Sequence, residues 1–145
     1  MDMVWIKSAI IVTVLLGCSY YDVKEKRVPL AWILAGMAAI LIANMVGKDM
    51  GISACLIGMT LGAVLVAVSK WSKEALGIGD ALLILMIGMG MGIYQTALVV
   101  FYALFVTSVV CAVLLMMKRV GKKTRIPFVP FLLLGYVGVI LSWQV

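Results

Sequence analysis

The chain has 145 residues and a net charge of +6 at pH 7; 66% of its residues are hydrophobic and only 12% are charged. A soluble domain has about 45–50% apolar and about 25% charged residues, and so short a chain could not bury this excess. The composition excludes a water-soluble enzyme, a nucleic-acid-binding domain and a disordered tail. We expect one integral-membrane domain over residues 1–145, with no nucleic-acid partner.

Charged residues divide the chain into apolar segments long enough to cross a membrane. The first covers residues 4–21 and contains only Lys7, whose long side chain can reach the membrane surface from a helix end. Three further segments have 20 uncharged residues each, at 28–47, 50–69 and 126–145. Each has about the length needed to span a hydrocarbon core of ~30 Å.

A fifth uncharged segment, residues 81–117, is too long for one span. Its 37 residues would form a helix of about 55 Å. Its glycines at 88, 90 and 92, followed by Tyr94 and Gln95, predict a turn that divides it into two short spans. The sequence therefore predicts an all-α bundle of six transmembrane helices.

The basic residues predict the orientation of this bundle. Ten of the twelve lie in the connections after spans one, three and five, and only Lys7 and Lys48 lie on the other side. Basic loops remain in the cytoplasm, so we expect both termini outside. We also expect the basic loops to contact anionic lipid headgroups.

The chain contains no histidine, which excludes a His-based triad and a His-ligated metal. Its cysteines, at 18, 55 and 111, are far apart and predict small core residues rather than a zinc site. We expect neither a metal nor a cofactor. Residues 15–18 resemble a lipoprotein cleavage site, but more membrane segments follow, so we interpret them as part of the first span.

Two acidic residues lie at the predicted cytoplasmic membrane edge. Asp22 ends the first span and Asp80 opens the fourth. Two adjacent carboxylates cannot both ionise easily, and such a pair can perform aspartic proteolysis. Alternatively, Asp80 is an N-cap and Asp22 an ordinary interfacial charge.

The residues around Asp80 suggest how this pair would work. Gly77 and Gly79 leave the backbone open to an approaching peptide, although they would equally suit a plain turn. Asp80 starts a helix and Asp22 ends one, so the helix dipoles predict that a shared proton resides mainly on Asp22. Asp80 would then activate water.

Three motifs resemble those of one family. Gly77-Ile78-Gly79-Asp80 resembles the GxGD motif of intramembrane aspartyl proteases. Asp22 followed by Arg27-Val28-Pro29 resembles the first-aspartate motif of prepilin peptidases. The C-terminal segment 125–131, which contains Pro127, is similar to the PFxP segment of that family.

This resemblance implies a membrane enzyme that removes the short, basic, cytoplasmic leader from type IV prepilin-like precursors. The active site would lie on the cytoplasmic side of a prokaryotic cell membrane. The chain resembles the short family members that lack a methylating domain. The implied catalytic residues are Asp22 and Asp80, and the implied supporting residues are Gly77, Gly79, Arg27, Pro29 and Pro127.

The chain departs from the family pattern at two positions. Leu82 stands where the family often has Lys, and Leu30 stands where it often has Asn. Either change could alter specificity or mark an inactive relative. The alternatives are a non-catalytic component of a pilus assembly apparatus and a small transporter, although transport sites tend to lie near the bilayer midplane.

Overall fold

The computed structural model describes residues 2–48, 50–72, 77–118 and 126–144, and these ranges contain six α-helices and no strand. The predicted all-α fold is confirmed. Four helices are long and apolar enough to cross a membrane, and the fourth and sixth are shorter apolar helices. The six are α1 (Asp2–Glu25), α2 (Leu30–Gly47), α3 (Ile52–Trp71), α4 (Ile78–Met91), α5 (Ile93–Met116) and α6 (Val129–Gln144).

The connection between α1 and α2 is short because its residues stop one helix and start the next. Lys26 adopts a left-handed conformation (φ 53°) and its N–H donates to the carbonyl of Asp22. Pro29 is the extended N-cap of α2, a position where its missing N–H costs nothing. The helix therefore begins at Leu30 rather than at residue 28.

The predicted turn in the long apolar segment is a single residue. Gly92 has φ 85° and separates α4 from α5; only glycine adopts this conformation without strain. The break is off-centre, so the expected pair of short spans is wrong. α4 has 14 residues and α5 has 24.

Close backbone contact holds α3 against α4. A Cβ on Gly58 would collide with the carbonyl of Gly88, and one on Gly62 would collide with the backbone of Leu85. Small residues allow membrane helices to approach in this way. The contact places α4 in the interior, where half of its residues are buried.

The outer surface of the bundle is apolar. Large side chains such as Ile52, Trp71 and Phe101 are exposed on α3 and α5. Soluble monomers rarely expose large contiguous apolar surface, so this surface suits a lipid environment. α4 thus lies at the centre, and the other helices shield it from the surroundings.

Lys7 lies inside the bundle, which differs from the expected extended position. It is only 4% exposed and lines a cavity of about 180 Å³ together with Ser8, Gln95 and Trp143. Ser8 and Gln95 give the Lys7 side chain polar neighbours inside the bundle. Several charged positions of the predicted connections lie outside the described residues: Asp49, Lys73, Glu74 and those within 119–125.

A polar contact joins α2 to the end of α4. Asn44 Nδ2 donates to the carbonyl of Met89 at 2.8 Å, and Cys55 Sγ lies 3.7 Å from the same oxygen. This carbonyl is in the last turn of α4, where helix carbonyls lack intrahelical partners.

All three cysteines are free; Cys18 is buried in the core as expected, whereas the other two are half-buried.

Candidate active site

Asp22 and Asp80 lie in the wall of one cavity of about 920 Å³. Gly79, which precedes Asp80, packs against Val28 in the connection that follows Asp22, so the two carboxyl groups lie on neighbouring segments. The structure thus brings together two residues that are 58 positions apart in the sequence. Their catalytic role stays a prediction.

The Asp22 carboxylate is held by the start of α6. Asp22 is in the last turn of α1 and is 9% exposed. Its Oδ2 accepts the backbone N–H of Val129 at 3.2 Å. The first N–H groups of a helix have no intrahelical partner, so α6 presents free donors at this point.

The local sequence explains why α6 begins beside Asp22. The carbonyl of Phe128 accepts the N–H groups of Phe131 and Leu132, both at 3.0 Å, which starts the helix. Pro130 occupies the first turn, where a missing N–H is tolerated. Pro127 lines the cavity. The sequence identified Pro127 only through a resemblance and did not identify the backbone donor of Val129.

Asp80 is in the first turn of α4 but does not cap it. The N-cap is Gly77, whose carbonyl accepts the N–H groups of Asp80 and Ala81. The Asp80 carboxylate folds back towards Gly77, and a Cβ there would lie 2.9 Å from Oδ2. No residue in the described ranges donates a hydrogen bond to this carboxylate. The N-cap alternative for Asp80 is therefore wrong.

Gly79 packs against the connection between α1 and α2. A Cβ on Gly79 would lie 2.8 Å from Cβ of Val28. Gly77 and Gly79 both line the cavity beside Asp80, so their expected role, an open backbone beside the substrate peptide, stays a prediction. Gly79 also allows the helix carrying Asp80 to approach the segment that follows Asp22.

The connection itself reaches the cavity through alternate residues. Lys26, Val28 and Leu30 line it, whereas Arg27 and Pro29 do not. The structure therefore does not bring Arg27 and Pro29 to the site, although Pro29 starts α2.

The two departures from the family pattern have different locations. Leu30 lines the cavity, so an apolar side chain contacts the cavity where the family often has the polar side chain of Asn. Leu82 is absent from the cavity lining and packs against the core. A substrate in the cavity would contact the first position and not the second.

The lining of the cavity combines charged groups with apolar side chains. The carboxylates and Lys26 supply the charges, and the apolar walls come from three helices through Leu65, Ile84, Val100 and Leu104. Within the described ranges, no group of three or more Cys, Asp or Glu residues is placed to bind a metal ion. Two interacting carboxyl groups in such a pocket can share acid and base roles.

Comparison with protein families gives a match that covers most of the chain. The model of the type IV leader peptidase family matches residues 9–116. This range includes both aspartates and the glycines of α4, and it ends before the segment that contains Pro127. No curated protein and no solved structure matches the chain. The family match covers most of the sequence, and the chain therefore belongs to the type IV leader peptidase family.

Proposed function

We propose that this protein is a membrane aspartic endopeptidase that removes the short basic leader from type IV prepilin-like precursors. Membership of the leader peptidase family supports the class of reaction. The observation that carries the proposal is the shared cavity of Asp22 and Asp80. Its volume of about 920 Å³ is in the range of ligand-binding pockets, about 300–1,000 Å³.

The proposed reaction is hydrolysis of one peptide bond by the two carboxyl groups. The ionised carboxylate takes a proton from water while the water oxygen bonds to the scissile carbonyl carbon. The protonated carboxyl group gives its proton to the carbonyl oxygen. The C–N bond then breaks, and the leaving nitrogen receives the proton taken from water.

The composition of the cavity wall supports a precursor substrate. Such a precursor changes from a polar leader to an apolar helix near the bond that is cut. The lining of the site contains the two carboxylates and apolar side chains, including Leu65, Val100 and Leu104. Both kinds of substrate segment would therefore find matching surfaces.

The proposed location is the cytoplasmic side of a prokaryotic cell membrane. The distribution of basic residues supports this orientation, because ten of twelve follow the first, third and fifth spans. Asp22 lies at the end of α1, and the connection that follows contains Lys26 and Arg27. We propose that these connections bind anionic headgroups and keep the cavity near the membrane surface.

Cleavage of a candidate precursor in liposomes tests the proposal. Mass spectrometry of the product should give one new N-terminus with the unmodified enzyme. Asp22→Ala and Asp80→Ala should abolish cleavage while the protein still inserts and unfolds cooperatively. Glu25→Ala is the matched control, since Glu25 is an exposed acidic residue of α1, and it should retain activity. A chelator should have no effect.

The alternatives give different results in the same assay. A non-catalytic assembly component would bind the precursor and leave it uncut. A transporter would leave it uncut and unbound. Retained turnover in either Ala variant would exclude the two-aspartate mechanism.

A further inference from the structure

Asp22 and Asp80 have unequal surroundings within the cavity. Asp22 accepts the N–H of Val129 at 3.2 Å. In the part of the chain that the structure describes, Asp80 accepts no hydrogen bond. A pair that shares one proton will place it on the carboxyl group whose ionised form is less well stabilised.

We propose that Asp22 is the ionised carboxylate that activates water, that Asp80 carries the proton, and that the backbone N–H of Val129 is the positioning group that fixes these roles. This inference rests on the proposed function. It reverses the assignment that the helix dipoles of α1 and α4 predict from the sequence.

The start of α6 is the reason for the reversal. The end of α1 disfavours a negative charge on Asp22, but the start of α6 favours one, so these two dipoles oppose each other. The start of α4 favours a charge on Asp80 through its dipole alone. A direct hydrogen bond to a charged group is worth about two to three times a terminal dipole interaction, so the Val129 donor decides the balance.

The other charged groups near the cavity do not reverse the preference for an ionised Asp22 over an ionised Asp80. On α1, Cys18 lies one turn before Asp22. Lys26, in the connection that follows α1, lines the cavity and favours a charged Asp22. On α4, Asp80 is the charged neighbour. On α3, Lys70 is in the last turn; it is exposed and does not line the cavity. The described residues of α2, α5 and α6 include no Asp, Glu, Lys or Arg.

The assignment gives a complete catalytic cycle. Asp22 takes a proton from water, the water oxygen bonds to the carbonyl carbon, and Asp80 protonates the carbonyl oxygen. The resulting gem-diol returns one hydroxyl proton to Asp80 as the carbonyl reforms. Asp22 gives its proton to the leaving nitrogen as the C–N bond breaks, which restores the starting state.

Val129→Pro removes the proposed donor with little change to the backbone. Val129 is the first residue of α6, a position that favours proline. The residue before it, Phe128, is not helical, as proline requires of its predecessor. Val129→Ala is the matched control because it also shortens a fully buried side chain but keeps the N–H.

The pH dependence of kcat/KM separates the two assignments. If Asp22 is the base, loss of the donor makes its ionisation harder, and the acidic limb should move about one to two pH units upward. The alkaline limb reports loss of the proton from Asp80. It should remain in place, because Asp22 is ionised both before and after that step. Val129→Ala should move neither limb. Movement of the alkaline limb alone, or of neither limb in Val129→Pro, would overturn the proposal.

Infrared spectroscopy provides a second test that needs no variant and no turnover. The protein is prepared with a ¹³C-labelled side-chain carboxyl group at Asp22 alone, and separately at Asp80 alone. As the pH is raised, the isotope-shifted band should change from that of a protonated acid to that of a carboxylate at a lower pH for Asp22 than for Asp80. The opposite pattern would refute the assignment, whereas failure to cut a precursor would refute only the proposed function.

Discussion

Gly79 and Val28 are packed so closely that a methyl group on Gly79 would overlap the Val28 side chain. A Cβ on Gly79 would lie 2.8 Å from Cβ of Val28. Gly79 is adjacent to Asp80, and Val28 belongs to the connection that follows Asp22. The contact between Gly79 and Val28 therefore helps to set the distance between the carboxyl groups of Asp22 and Asp80.

Gly79→Ala should displace the start of α4 from this connection and reduce cleavage. Overpacking of this kind typically costs about 1–3 kcal/mol. Because catalytic groups must be held closely, we expect a loss of at least about tenfold in kcat. Precursor cleavage and thermal unfolding in the same detergent measure the two effects.

Two further variants show whether the contact with Val28 is responsible. Gly138→Ala is the control, because no atom lies within 4 Å of a Cβ built on this α6 residue, and it should leave both measurements unchanged. Val28→Gly combined with Gly79→Ala should recover part of the lost activity, because it removes the Val28 Cβ that the new methyl group meets. Full activity in Gly79→Ala, or no recovery in the double variant, would contradict this explanation.

The fold could be predicted largely from where charges and special backbone residues occur. Uncharged segments located the helices, and the glycines from 88 to 92 located the break within the longest of them. The sequence did not show which glycine would form the break. That choice depends on tertiary packing, since Gly88 is used for contact with α3 and Gly92 for its positive φ.

The candidate site could be predicted only in part. Asp22 and Asp80 were identifiable because charges at the ends of apolar segments are few. The donor to Asp22 was not, because a backbone N–H has no residue type and Val129 is 107 positions away. Lys7 was misplaced for a related reason: its polar neighbours, including Gln95, come from distant segments.

Asn44→Leu should destabilise the protein modestly by removing the donor to Met89. The N–H···O distance is 2.8 Å, and side-chain hydrogen bonds in membrane proteins contribute about 0.6 kcal/mol on average and about 1.7 at most. The Met89 carbonyl would retain only its weak contact with Cys55. We expect a lower free energy of unfolding, measured by denaturant titration in mixed micelles.

Thr60→Val is the control for the Asn44 variant. The Thr60 hydroxyl donates to the carbonyl of Ile57 within its own helix and is exposed, so its loss should leave stability unchanged. An Asn44→Leu variant as stable as the unmodified protein would show that the link between α2 and α4 contributes nothing.

Asp22→Asn and Asp80→Asn should each reduce kcat by about 10²–10⁴-fold, the usual contribution of a positioned acid or base. An amide keeps the size of the carboxyl group but cannot cycle a proton. The two groups act as a unit, so the double variant should be little slower than either single variant. If the double variant instead loses the product of the two single fold-changes in kcat, the two carboxyl groups act independently. Glu25→Gln is the control and should retain full activity.

The proposed orientation predicts which single cysteines a membrane-impermeant thiol reagent can reach in intact cells. Cysteine in place of Lys48 should be labelled from outside. Cysteine in place of Lys73 or Lys122 should be labelled only after the membrane is opened, because basic connections stay in the cytoplasm. The three native cysteines are first replaced by alanine, and precursor cleavage verifies that this background is still folded.

Position 122 is the most informative of these sites, because its side of the membrane depends on the break at Gly92. If α4 and α5 both cross the membrane, the break reverses the chain and the most basic connection faces the cytoplasm. If they crossed as one span, residue 122 would lie on the same side as residue 48. External labelling at both positions would therefore refute the six-span topology, and protection at 122 with labelling at 48 would support it.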